Sequence, residues 1–475
     1  MRNSAGRSHF ILWYISGMKL VSALAVIILF AACSPQRFIA KDVKSNLLKA
    51  PTLANSHVGI SLYDPAEKKY VYNYQGEKYF VPASNTKIVT CYVAMKYLGD
   101  SLAGIHYEEG PDAITLVPTG DPTLLHRDFA RQPVIDFLKN ANRPLQIIYK
   151  NWKETAWGSG WGWDDYNSSY MIERSPLPVY GNFIQWIQEN EGSSSSDDFE
   201  KTPFIYSIPE VNWKVRFNTD TTRKNFYVRR DRDDNIFVIT QGTEKRREQD
   251  VPFVTKGLQS ALELLPDTIG KTITLSEAEL EIGGSRARNR QQAAYTGYSG
   301  LRTIFSQPTD SMLKPMMHRS DNFFAEQTLL MVSEALLGVF DMDKVIDTLL
   351  KTDYAGLPHK PNWADGSGLS RYNLFTPQDF IVILDKMEQD FGMDRIKEIF
   401  PTGGRGTLSS YYKRDSGYIY AKTGTLSGVV ALSGYLYTKK NKRLIFSVLV
   451  NNHNGSAADV RRKVEAFLQN IRNRY

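Results

Sequence analysis

Four segments of the chain place a serine three residues ahead of a lysine: Ser16/Lys19, Ser84/Lys87, Ser311/Lys314 and Ser410/Lys413. On a helix that spacing sets a hydroxyl and an ammonium on one face. A serine hydroxyl is a poor nucleophile near neutral pH and needs a base. Lysine serves as that base only when desolvation or a nearby cation lowers its pKa. Company separates the four pairs. The chain holds a single Ser-x-Asn, Ser320-Asp321-Asn322, and a single Lys-Thr-Gly, Lys422-Thr423-Gly424, both downstream of Ser84. Together they supply a hydroxyl nucleophile, an amine base, a second hydroxyl, a side-chain amide and a second cation. That set suits acyl transfer through a serine ester. HExxH, CxxC, a Walker glycine loop and GxSxG do not occur, and the His residues are scattered. Metal-dependent and Ser-His-Asp hydrolysis therefore start low.

The elements that would hold these residues can be read from the pattern. Ser84 and Lys87 open the apolar run from Pro82 to Gly99. Ile88, Val89, Cys91, Tyr92, Met95 and Tyr97 would bury a helix there, and its first turn alone would face a cleft. A helix N-terminus also brings a positive end and free N–H groups near the nucleophile. The Ser320 motif falls in a break within a helical stretch, "SMLKPMMHRSDNFFAEQTLLMVSEALLG". Lys422 lies on the first of three late strand-like runs, "YIYAKTGT", "VVALSGYLYT" and "RLIFSVLVNN", where an extended substrate can pair alongside.

Of 475 residues, 42% are hydrophobic, enough for two or three cores. Val58 to Val81 reads as two strands with polar turns. From about 100 to 295 the chain is punctuated by Gly and Trp and carries many short strand patterns. The chain closes on an amphipathic helix, apolar at Val460, Val464, Phe467, Leu468 and Ile471. The predicted fold class is α+β. Strands from both ends join in one antiparallel sheet beside a helical cluster, and a β-rich insert interrupts this catalytic domain. The expected divisions are a signal peptide at 1–32, a first catalytic part at 33–99, the insert at 100–295 and a second catalytic part at 296–475.

The segment from Val21 to Ala32 is almost wholly apolar and too short to span a membrane. It ends in "LFAAC", which resembles a bacterial lipoprotein signal in which Cys33 becomes the lipidated N-terminus. Ordinary export with cleavage nearby is the alternative, and Met1 and Met18 both stand as starts. Removing residues 1–32 takes the net charge from +7 to +4, too weak to argue for nucleic acid. The run from Arg223 to Asp234 mixes acids with bases and reads as a solvated hairpin face. Cys91 reads as a buried structural thiol. Trp152, Trp157, Trp161 and Trp163 crowd into twelve residues; packing of a Gly-rich loop explains them better than sugar stacking.

The trio SxxK, SDN and KTG is that of class A β-lactamases and penicillin-binding proteins. About 230 residues separate the first two motifs here, far more than in a compact β-lactamase. The chain resembles the penicillin-binding protein 4 type of D-alanyl-D-alanine carboxypeptidase/endopeptidase, peptidase family S13. "GDPTL" (120–124), "GWGWDD" (160–165), "DGSGLSRYNL" (365–374) and "GTL" (406–408) carry the likeness further, and about 181–270 carries it least. Ser16 would lie in the leader, and Ser311 and Ser410 lack partners in the family order.

The resemblance implies that Ser84 attacks the carbonyl between two D-alanines and Lys87 takes its proton. Ser320 relays a proton to the leaving amine, and Asn322 holds the substrate amide and Lys87. Lys422 is a cation for the terminal carboxylate and lowers the pKa of Lys87. Backbone N–H groups of Ser84 and Thr425 form the oxyanion hole, and Thr423, Gly424 and Thr425 line the substrate, the hydroxyls on its carboxylate. Asp165 approaches the substrate side chain, unless it serves only as a turn or cap. No cofactor or metal is implied. The implied partners are peptidoglycan stem peptides, β-lactams as covalent inhibitors, and a membrane held through a lipid anchor, in the periplasm. A β-lactamase or esterase on the same scaffold stays open, as does a non-catalytic cell-wall-binding lipoprotein. So does the balance between trimming terminal D-Ala and cutting crosslinks.

Overall fold

The computed structural model describes residues 35–149, 151–190, 204–218, 224–276 and 300–475. The leader, Cys33 and the serine-rich run from Ser193 to Asp198 lie outside the described residues.

Strands from the two ends of the chain meet in one sheet. Its order is Ile419–Leu426, Val429–Tyr437, Arg443–Asn451, His57–Asp64 and Lys69–Tyr74, all antiparallel. Side chains alternate across the pleat, so Arg443–Asn451 serves two cores. Leu444, Phe446, Val448 and Val450 join Val460, Val464, Phe467, Leu468 and Ile471 of the terminal helix Ala457–Arg474. Ile445 and Leu449 join the helical cluster, with Ala431 and Tyr435 from the neighbouring strand. Ser433 and Ser447 are buried between strands, and their hydroxyls bond each other at 2.8 Å.

The helix Thr86–Tyr97 lies among the helices Thr309–His318, Asn322–Leu337 and Pro377–Ile399. Every residue from Thr86 to Met95 is buried, so it has no wet face. Cys91 is a free, buried thiol, as expected, and burial pushes its pKa up. A thiol so protonated is inert.

The chain leaves this domain through the strand Ser101–Glu109 and returns through Arg302–Pro308, which pair antiparallel. With Ile114–Pro118, Leu145–Ile147 and Ile273–Leu275 they form a second five-stranded sheet. Two three-stranded sheets share its core, which includes Ile105, Leu116, Trp186, Phe237 and Phe253. The hairpin read between Arg223 and Asp234 includes the strand Tyr227–Arg230, paired with Ile236–Thr240. Its face is only partly solvated. Alternation turns Val228 and Arg230 inward, and the Arg230 guanidinium donates to Glu173 at 3.1 Å and to the Pro252 carbonyl at 2.7 Å. Among the tryptophans, Trp152 packs on Phe340 and Trp157 on Trp161, whereas Trp163 stands exposed.

Leu449 is fully buried where sheet and helical cluster meet. Leu449→Ala is expected to lower the unfolding free energy by about 3 kcal/mol, read as a lower midpoint in thermal or urea unfolding.

Candidate active site

Ala83–Asn85 form a tight turn, and the regular helix starts at Thr86. Ser84 therefore sits on the turn and Lys87 one turn deeper. Lys87 is fully buried. Its Nζ lies 3.0 Å from Ser84 Oγ, 2.6 Å from Asn322 Oδ1 and 2.8 Å from the Ser367 carbonyl. Burial lowers its pKa from 10.5 to about 8, against the opposing pull of Asp365, Glu326 and Asp321.

The strand Ile419–Leu426 passes beside this turn. Asn85 Nδ2 donates to the Lys422 carbonyl at 2.9 Å. A Cβ on Gly424 would fall 2.6 Å from the Pro82 carbonyl oxygen and 3.1 Å from Ser84 N, so only glycine allows the approach. Gly368, at φ +82°, is confined likewise by the Ala83 carbonyl. Lys422 is fully buried, and its Nζ reaches Ser320 Oγ at 2.8 Å and the Thr423 carbonyl at 2.7 Å. Burial, then the charge of Lys87, takes its pKa well below 10.5. The lowering of Lys87 itself comes from burial, and the expected contribution of Lys422 does not appear among its causes.

Ser320 occupies the break between two helices, with φ +62°. Asp321 caps the second helix by accepting from Phe324 N at 3.1 Å. Asn322 begins that helix and donates to the Tyr170 carbonyl at 2.9 Å, a contact from the insert. Two buried acids stand behind. Asp365 accepts from the N–H groups of Gly368 and Ser370 at 2.7 and 2.6 Å, from Asn373 Nδ2 at 2.8 Å and from the Trp161 indole at 3.1 Å. Glu326 accepts from Ser367 N at 2.8 Å.

These groups border a cleft of about 810 Å³, whose lining includes Ser84, Ser320, Asn322, Thr423 and Thr425, with Asp165 and Tyr170 from the insert. The predicted residues from all three motifs thus meet at one place. Lys422 does not line the cleft. The cations that do are Arg371 and Arg461. Sequence reading missed Arg461, because an arginine on an amphipathic helix looks like any solvated residue. It also missed the Ser367 and Tyr170 carbonyls, whose roles no side chain announces. Ser410 and Lys413 line a separate polar cleft beside the terminal helix, and Lys314 pairs with Glu398. Among the described residues, no group of three or more His, Cys, Asp or Glu side chains is placed to hold a metal ion.

The family model for "D-Ala-D-Ala carboxypeptidase 3 (S13)" matches residues 39–471. A D-alanyl-D-alanine carboxypeptidase of Actinomadura sp. (strain R39) is 24% identical, over 86% of this chain and 80% of its own. The D-alanyl-D-alanine carboxypeptidase DacB of Haemophilus influenzae is also 24% identical, over 96% of this chain and 98% of its own. In fold, the chain is similar to the crystal structure of penicillin binding protein 4 from Haemophilus influenzae, with a TM-score of 0.66 and 18% identity over 91% of this chain and 98% of that one.

Only the neutral amine of Lys87 can accept a proton from Ser84. With a pKa of about 8, the ready fraction is about one tenth at pH 7 and about half at pH 8. Acylation by an active ester is therefore expected to rise about tenfold per pH unit below pH 7 and to level off above the Lys87 pKa. A stopped-flow pH profile checks this, and a flat one from pH 6 to 10 contradicts it.

Proposed function

The chain belongs to the D-Ala-D-Ala carboxypeptidase 3 (S13) family, and we propose that Ser84 is its acylated nucleophile and Lys87 the base that activates it. The protein is a serine-type D-Ala-D-Ala peptidase of peptidoglycan. The single observation that carries the residue assignment is Lys87 Nζ, buried and in reach of both Ser84 Oγ and Asn322 Oδ1.

In the proposed cycle the Ser84 hydroxyl passes its proton to Lys87 Nζ as Oγ bonds to the carbonyl carbon between the two D-alanines. In this proposal the oxyanion so formed takes hydrogen bonds from Ser84 N–H and Thr425 N–H; the support is the close passage of Gly424, next to Thr425, beside Ser84 N. Removing one such donor typically costs about two to three orders of magnitude in rate. The C–N bond then breaks, and the proton taken up by Lys87 passes by way of Ser320 Oγ, which Lys422 Nζ holds at 2.8 Å, to the leaving amine, so that Lys87 is neutral again and Ser320 keeps its hydroxyl. The ester on Ser84 remains until water hydrolyses it. Asn322 orients both Lys87 and the substrate amide. Lys422, whose Nζ bonds Ser320 Oγ and the Thr423 carbonyl, serves the terminal carboxylate through its field and the leaving amine through Ser320. The Thr423 and Thr425 hydroxyls meet the carboxylate of the leaving residue.

Asp165 stands on the insert's wall of the cleft and suits a free amine on the third residue of the stem peptide. Endopeptidase cleavage of crosslinks belongs to the same proposal, through the same Ser84 ester. So does the division into catalytic parts and insert; the expected junction at 295/296 is moved to after Pro308, because Arg302–Pro308 pairs with the insert's first strand.

Export and anchoring through Cys33 complete the reading. The support is the short apolar run before that cysteine. Among the described residues no helix is long and apolar enough to cross a membrane. Cys33→Ser is expected to move the protein from the membrane to the soluble periplasmic fraction. A wild-type protein already in that fraction refutes the anchor.

The assignment of Ser84 is tested with a β-lactam, whose strained amide lies beside a carboxylate. Ring opening leaves the expelled amine tethered, so water is kept out and the ester persists. After benzylpenicillin, intact-mass spectrometry is expected to show one added drug mass, mapped to Ser84, and none on Ser84→Ala. Label on Ser311 or Ser410 refutes the assignment. Rapid loss of the adduct, with hydrolysed drug in solution, replaces the peptidase reading with a β-lactamase.

A further inference from the structure

A substrate that ends in a D-amino acid brings a full negative charge into the cleft. Lys87 and Lys422 are both buried, and their ammoniums are committed to protein acceptors. The cations that line the cleft itself are Arg371 and Arg461.

We propose that Arg461 is the cation that meets this charge: its guanidinium, beside Thr425, grips the free carboxylate of the leaving residue and makes the enzyme select peptides that carry one. This rests on the acyl-transfer reading above and adds a specificity residue from an element outside the three motifs.

Arg461 lines the cleft, and its Nη2 donates to Thr425 Oγ1, on the strand that carries Lys422. That strand is at the edge of the sheet, so a substrate backbone can lie along it. Among the described residues Arg461 forms no ion pair, whereas the adjacent Arg462 is paired with Glu465 at 2.6 Å. Its guanidinium rests 6.0 Å from the centre of the Tyr411 ring, a support that consumes no donor. The helix bearing it is fixed by Val460 and Val464, both buried in the core beneath the sheet. Arg461 is therefore a charged fork on a rigid element with donors to spare, which is the geometry that binds a carboxylate in two-point fashion. Arg371, the other cation at the cleft, is held by the Ser427 carbonyl at 2.8 Å, beyond the end of the strand.

Two acyl-D-Ala thioesters distinguish the idea, one with a thioglycolic acid leaving group and one with its carboxamide. They differ only in the charge. Losing a hydrogen bond between charged groups costs about 10- to 100-fold. The ratio of kcat/KM for the acid over the amide is expected to fall by that factor in Arg461→Ala, mainly through KM, and to recover in part in Arg461→Lys. An unchanged ratio, or an equal loss on both substrates, overturns the proposal; the second would mean that Arg461 only props Thr425. A larger fall of the ratio in Arg371→Ala than in Arg461→Ala also overturns it. Benzylpenicillin labelling of the same proteins keeps the two levels apart. Wild-type enzyme that takes no label defeats the acyl-transfer reading and this inference with it. Labelled enzyme whose ratio ignores Arg461 defeats the inference alone.

Discussion

The burial of the Lys87 ammonium is the constraint on which the rest of the site depends. An ammonium out of water is costly unless its protons find acceptors. Lys87 has three: a hydroxyl, a side-chain amide oxygen and a backbone carbonyl. None is an ionised acid in direct contact. A carboxylate at that distance would hold the proton in place and keep the amine charged. The acids Asp365 and Glu326 stand one layer back, where they spend hydrogen bonds on the 365–370 loop that supplies the carbonyl. Their residual field supports the charge without capturing it. The balance leaves Lys87 near 8, chargeable and dischargeable at working pH.

This arrangement explains why the insert is not an appendage. Its two connecting strands pair with each other, so the long excursion begins and ends at one place, just before the helix that leads to Ser320. It then contributes to the site directly. The Tyr170 carbonyl fixes the amide of Asn322, so the oxygen of that amide is the end turned toward Lys87. The Trp161 indole donates to Asp365. The Lys87–Asn322 contact and the cleft wall that carries Asp165 are thus coupled through a few hydrogen bonds.

The motif residues were legible because each motif joins a chemistry to a local structural signal. Ser84 and Lys87 open an apolar run, Ser320 interrupts a helical one, and Lys422 sits on an alternating one. The sheet built from both chain ends was legible for the same reason, since Val58–Val81 and the last three strands each show their period. What could not be read is contact made by groups common to every residue. The carbonyls of Ser367 and Tyr170 belong to the backbone, and only the fold decides where they point. Arg230 was misread for a related reason. Its neighbours are charged, but one strand residue in two faces inward, and a carboxylate at position 173, remote in sequence, awaits it there. Arg461 lies on a helix whose apolar stripe was plain and whose other face carried no distinguishing mark.

Two backbone angles show how firmly the site is held. Ala83, immediately before Ser84, has φ +47°, and Ser320 has φ +62°. Neither residue is glycine, and such conformations cost roughly 1–3 kcal/mol each. They persist because neighbours leave no relaxed alternative. Ala83 is wholly buried with Gly368 against its carbonyl, and Ser320 is pinned between the end of one helix and the capped start of the next, its hydroxyl held by Lys422. The two angles flank the cleft, one beside Ser84 and one at Ser320 itself. Stability from the surrounding cores is what keeps the two turns in place. Under the proposed mechanism the two hydroxyls would meet the substrate already oriented, which leaves little reorganisation for the chemical step.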